Sequence, residues 1–79
     1  MERVVIISDI SEIRSGLASR VKATLGDQIQ VRMQTGKDAS LQSRDADLIL
    51  IHTRMSRASS LEVAKRMKKE NPAALLIFF

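Results

Sequence analysis

The chain contains no cysteine, no tryptophan and no tyrosine, and its only aromatic rings are the pair Phe78-Phe79 and the single imidazole, His52. Without cysteine there is no disulfide framework, no thiolate metal centre and no thiol nucleophile. With so few aromatics, a stacking platform for single-stranded nucleic acid is missing. The three glycines, Gly16, Gly26 and Gly36, are isolated from one another, so no glycine-rich phosphate loop is present. No apolar run approaches the roughly 18 residues needed to cross a membrane. Charge of one sign is not missing but diluted: 13 basic and 9 acidic residues leave a formal net charge of +4. The densest basic group, Lys65, Arg66, Lys68 and Lys69, falls on an expected helix and reads as a solvated face. Direct nucleic-acid binding and membrane insertion are therefore not expected.

What is present is ordinary for one small domain: 79 residues, 44% hydrophobic and 28% charged. Met1-Glu2-Arg3 runs straight into a strand-like segment without a cleavage site, so a cytoplasmic protein with no signal peptide is expected. Val4-Val5-Ile6-Ile7 is a continuous β-branched run of the kind that suits a parallel strand covered on both faces. Ser11 is placed to cap a helix carrying Ile13, Leu17, Val21 and Leu25 at four-residue spacing, and Gly26 to close it in a left-handed stop. Residues 28–34 alternate Ile29, Val31 and Met33 with polar side chains, which predicts a half-exposed strand near a sheet edge. A turn at 35–37 leads to a weak helical segment at 38–44.

The third strand, residues 47–51, is the clearest, and it ends on His52. Ser59 and Glu62 then have capping-box spacing ahead of a helix burying Val63, Ala64 and Met67, which Asn71-Pro72 stops. Residues 75–79 read as a fourth buried strand. The order βαβ(α)βαβ implies an α/β fold with a parallel sheet and right-handed crossovers. Five apolar residues in an edge strand also carry a hazard of self-association. The expectation is thus either an incomplete segment of a larger protein or an edge covered by a partner.

Taken in order, these segments resemble the receiver domains of bacterial response regulators. The first strand followed by Ser8-Asp9, the helix start Ser11-Glu12-Ile13-Arg14, the turn near Gly36 and Ala39, Leu61-Glu62-Val63, and Asn71-Pro72 ahead of Ile77-Phe78 carry the resemblance. It implies a three-layer, flavodoxin-like, doubly wound parallel sheet of about four strands, incomplete relative to the family. It also implies a site of three carboxylates around Mg²⁺, in which the aspartate ending the third strand accepts a phosphoryl group. This chain departs from that pattern twice. Ser8 stands at the first acidic position and His52 at the phosphoacceptor, so only Asp9 of the three acids is kept. A hydroxyl and an imidazole suit Mg²⁺ poorly. The family's hydroxyl after strand four and lysine after strand five would lie beyond Phe79.

The resulting expectation is a degenerate, phosphorylation-independent pseudoreceiver with no cofactor and no enzymatic activity. It would act as a protein-interaction or dimerisation module, with an output domain further along the same chain. His52 is expected to fill the old pocket and hydrogen-bond Asp9 or a loop amide. The rival reading is a small-anion sensor at the carboxyl ends of the strands, with Arg54 and Arg57 beside a helix N-terminus as the binding groups.

Overall fold

In the computed structural model the described residues are 3–36, 45–54 and 59–79. Four strands, β1 (Arg3–Ile7), β2 (Gln30–Gln34), β3 (Leu48–Ile51) and β4 (Leu75–Phe78), form one parallel sheet in the order β2-β1-β3-β4. Helix α1 (Ser11–Leu25) links β1 to β2, and α2 (Ser60–Glu70) links β3 to β4. The registers Val4↔Val31, Val4↔Leu48 and Leu48↔Leu75 align all four strands.

Alternation along the central strands assigns the helices to opposite faces. Val4, Ile6 and Leu48 pack with Leu17, Ala18 and Val21 of α1. Val5, Ile7, Ile49 and Ile51 pack with Val63, Ala64 and Met67 of α2. A parallel sheet needs cover on both faces, which is why β1 from Val4 onward and all of β3 are apolar. The architecture is therefore the expected one: three-layer, doubly wound and flavodoxin-like, with four strands present.

Local details differ from the sequence expectation in ways that have physical causes. Ser11 is the first residue of α1 rather than its cap; Ile10 takes the cap position without a side-chain bond, and its N–H is instead accepted by Ser8 Oγ at 3.1 Å. Residues four apart in a helix advance about 400°, drifting roughly 40° per step, so the stripe from Ile13 to Leu25 rotates off the sheet. Leu25 is accordingly exposed and Ala18 is the buried residue of α1. Gly26 has the positive φ expected of a stop, 98°, but with ψ 165° rather than a left-handed helical value, and its N–H bonds Lys22 O. A turn closed by Ile29 N–H on Gly26 O delays β2 to Gln30. The expected helix at 38–44 lies outside the described residues.

The largest difference is β4. Expected as buried, it is an edge strand with Leu75 54%, Ile77 43%, Phe78 47% and the following Phe79 39% exposed. The main contacts of α1 fall on β1 and β2, so among the described residues none covers the α1 face of β4. On the other face only Leu76 of this segment packs against the α2 core.

At the start of α2, Ser59 Oγ accepts the Glu62 N–H at 3.5 Å, the first half of the expected capping box. At the other end, Asn71 Nδ2 donates to Ala46 O at 2.8 Å, fastening the helix end to the chain entering β3. Ser59→Ala is expected to cost about 0.5–1 kcal/mol, the low end for a cap because the bond is long. Urea unfolding with an unchanged m-value checks it.

Candidate functional site: a row across the carboxyl ends of the strands

In a doubly wound sheet the crevice opens where the strand order reverses, outside the carboxyl ends of the strands. Here β1 leads outward to β2 and β3 outward to β4, so the crevice is flanked by the residues following β1 and β3. These are Ser8 and His52. The register Ile7↔Ile51 and Ile51↔Phe78, carried one step further, sets Ser8, His52 and Phe79 side by side. Backbone bonds extend the ladder to this row: Ser8 N–H to Gln34 O, His52 N–H to Ile7 O, and Phe79 N–H to Ile51 O, at 2.9–3.0 Å.

The side chains of the row engage one another. Ser8 Oγ and His52 Nδ1 lie 3.0 Å apart, and both residues are buried. The imidazole stacks on the Phe79 ring with centroids 5.1 Å apart and planes inclined by 15°. Ser8 Oγ also accepts from Ile10 N–H, so the hydroxyl bridges the imidazole and the chain entering α1. The hydroxyl and Nδ1 thus use each other as hydrogen-bond partners, where a phosphoacceptor site would offer open oxygens.

The neighbouring charges are also engaged in holding the loops. Asp9, half-buried, accepts the Gly36 N–H on Oδ1 at 3.0 Å and so ties the β2 turn to the chain leaving β1. Arg14 reaches back from α1 and donates through Nη1 to Ser8 O. A guanidinium bonded next to the one remaining acid disfavours a second cation there by direct Coulomb repulsion. Among the described residues no three His, Cys, Asp or Glu side chains cluster in a way that could hold a metal ion. One carboxylate, one committed hydroxyl and one committed imidazole do not fit Mg²⁺, which requires several hard oxygen ligands in octahedral array.

Of the sequence-predicted residues, the structure brings Ser8 and His52 into contact, with Asp9 following Ser8 in the chain. His52 finds its partner in the Ser8 hydroxyl instead of the expected carboxylate or loop amide. Arg54 is exposed, two residues beyond His52, while Thr53 is fastened by its N–H and Oγ1 to Phe79 O. Arg57 lies outside the described residues. Sequence reasoning missed Phe79 as the stacking partner and Arg14 as the clamp on Ser8. The first was signalled by Phe79 closing the last apolar run much as Ser8 and His52 follow the first and third; no pattern signalled the second.

No protein-family model matches the chain, and no curated protein matches its sequence. Solved structures do match over 99% of the chain. One is a response regulator protein from Burkholderia pseudomallei with a phosphorylated aspartic acid, calcium ion and citrate, at TM-score 0.75 and 18% identity. Another is histidine kinase ThkA in complex with response regulator protein TrrA, at TM-score 0.77 and 23% identity. The chain spans 46% of the first matched chain and 67% of the second. At these identities the likeness establishes the fold: the chain has the receiver-like, flavodoxin-like architecture of response regulators.

Proposed function

We propose that this chain is a pseudoreceiver: a receiver-like domain that serves as a protein-interaction module in bacterial signalling without aspartyl phosphorylation and without enzymatic activity of its own. The observation that carries this reading is the Ser8–His52 hydrogen bond, buried at the mouth of the sheet and backed by Phe79. A phosphoryl-accepting site needs an exposed carboxylate and a cation to offset the incoming charge. Here the corresponding positions hold a hydroxyl and an imidazole bonded to each other, with Arg14 beside them. The similar Burkholderia pseudomallei protein carries its phosphoryl group on an aspartic acid, the residue type that His52 replaces. The similar complex joins a response regulator to a histidine kinase, which supports a protein as the partner class for this fold.

Incubation with acetyl phosphate and Mg²⁺, followed by intact-mass measurement, tests the reading. The expected spectrum is unchanged from the untreated protein. A stable mass increase of one phosphoryl group would overturn the proposal, and mapping it to His52 would identify a different phosphoacceptor.

A further inference from the structure

We infer that the outward face of α2 is a docking surface for an acidic helix of a partner protein, held by Lys65, Arg66 and Lys69 with Leu61 as its apolar contact. This rests on the reading of the domain as an interaction module and names its surface and the chemistry of its partner.

α2 turns Val63, Ala64 and Met67 into the core on its side of the sheet, and its other side carries Leu61, Lys65, Arg66 and Lys69, all exposed. At about 100° per residue these four span roughly 140° of the helix surface, centred opposite Met67. A solvated helix face usually crosses its cations with carboxylates three or four residues away. Glu62 stands at those spacings from Lys65 and Arg66, yet among the described residues neither cation forms an ion pair, and Lys69 forms none either. Instead Lys65 and Lys68, Lys65 and Lys69, and Arg66 and Lys69 oppose like charges at neighbour spacing, which is unfavourable. Lys68 has a structural task, since its Nζ donates to Ala74 O at 3.1 Å at the helix end, where a cation also complements the dipole. Lys65 and Arg66 lie before the last turn, out of reach of that effect. Leu61, one turn before Lys65, is 58% exposed on the same side. A local conflict of this kind is kept by a binding face and has no use in a purely structural helix.

Charge complementarity selects the occupant. Lys65 and Lys69 are separated by about 6 Å along the axis, and Arg66 and Lys69 by about 4.5 Å. Those are the spacings at which a second helix presents carboxylates three and four residues apart. A facing helix with Glu or Asp at such positions, and one apolar side chain over Leu61, meets every group of the surface. Nucleic acid fits it less well: Glu62 and Glu70 flank the cations and oppose phosphates, and α2 carries no aromatic ring for a base to stack on. A lipid surface also fits less well, because the apolar stripe that an interfacial helix inserts is here buried in the core. Exposed ion pairs and one leucine make the complex weak, quick to form and sensitive to salt.

Fluorescence anisotropy tests this with a labelled synthetic helical peptide carrying glutamates three and four residues apart and one leucine. Binding is expected, weakening by about tenfold between roughly 50 and 300 mM salt. Lys65→Glu with Lys69→Glu is expected to lower the affinity by about tenfold or more, and Leu61→Ser by several-fold. Arg20→Glu with Lys22→Glu, exposed on α1, is the control and is expected to change it by less than about threefold. Each pair of replacements removes four units of charge and takes the formal net charge from +4 to zero. An equal loss in both would therefore reflect net charge alone and overturn the inference. A peptide with lysine in place of each glutamate is expected to bind the α2 variant and not the unaltered chain. All the replaced side chains are exposed, so the far-UV spectra should be unchanged. No binding, or binding indifferent to the α2 variant, overturns the inference and leaves the acetyl phosphate result untouched. Duplex DNA or phosphatidylserine vesicles binding more tightly than the peptide, through the same α2 residues, overturns it as well by assigning the face to that class.

Discussion

Replacing Ile49 with alanine is expected to lower the melting temperature of the domain by on the order of 10–40 °C. Ile49 lies in the middle of β3, fully buried among Val5, Val63 and Met67 on the α2 face. Truncating such an isoleucine costs about 2–5 kcal/mol, and each kcal/mol shifts a domain of this size by about 4–8 °C. Total stability for a chain this short is only about 4–12 kcal/mol, so the variant approaches the limit of folding. Ile77→Ala is the informative counterpart. It removes the same atoms from the neighbouring strand, but from a side chain that is 43% exposed. Its expected cost is about 1 kcal/mol or less. Calorimetry of both at low protein concentration checks the contrast. An Ile77→Ala loss as large as that of Ile49→Ala would refute the exposed setting of Ile77.

The contrast also separates what could be read in the sequence from what could not. Strands β1 and β3 were legible because both are continuous β-branched or leucine-rich runs, and a parallel sheet covered on both faces demands that composition. Their doubly wound order followed from the alternation with two helices. The state of β4 was not legible, because Leu75-Leu76-Ile77-Phe78-Phe79 is as apolar as a central strand. Whether such a strand is buried depends on what lies beside it and not on its own residues. The same holds for the cap of α1. Ser11 has the right chemistry and position for a cap, but Ser8 Oγ takes the Ile10 amide, and the helix starts at Ser11 itself.

The candidate site was legible by residue and not by contact. Ser8 and His52 stand out as a hydroxyl and an imidazole at the ends of apolar runs where the resemblance implies acids. That they bond each other depends on a register between segments 44 residues apart, fixed by Ile7↔Ile51. Arg14 was legible only as part of an amphipathic helix, since its reach to Ser8 O is a matter of side-chain length and helix placement. Non-local pairing therefore carries the functional reading, while local pattern carries the fold.

Rebuilding the acids should convert this closed row into a metal site, and the size of the effect makes it a direct test of the reading. The double variant Ser8→Asp with His52→Asp places two new carboxylates at the ends of β1 and β3, next to Asp9. Without a divalent cation it is expected to be less stable than the unaltered protein by several kcal/mol. It loses the Ser8–His52 bond and the stack on Phe79, and it buries like charges at a position where Ser8 is fully inaccessible. Adding Mg²⁺ should then recover part of that loss. For a dissociation constant near 1 mM, 10 mM Mg²⁺ stabilises by about 1.4 kcal/mol, or roughly 6–11 °C in a domain of this size. The unaltered protein is expected to show no such response, because its donor set offers one carboxylate already bonded to Gly36. Adding Arg14→Gln to the double variant should enlarge the Mg²⁺ shift further, since the guanidinium on Ser8 O competes electrostatically with the ion. Thermal unfolding with and without Mg²⁺, with Ca²⁺ and matched ionic strength as controls, reads all three proteins. A double variant indifferent to Mg²⁺ would mean that Ser8 and His52 do not occupy the acidic positions of a receiver. An equal response in the unaltered protein would mean that the site binds the ion despite its closed row, and the phosphorylation-independent reading would fall with it.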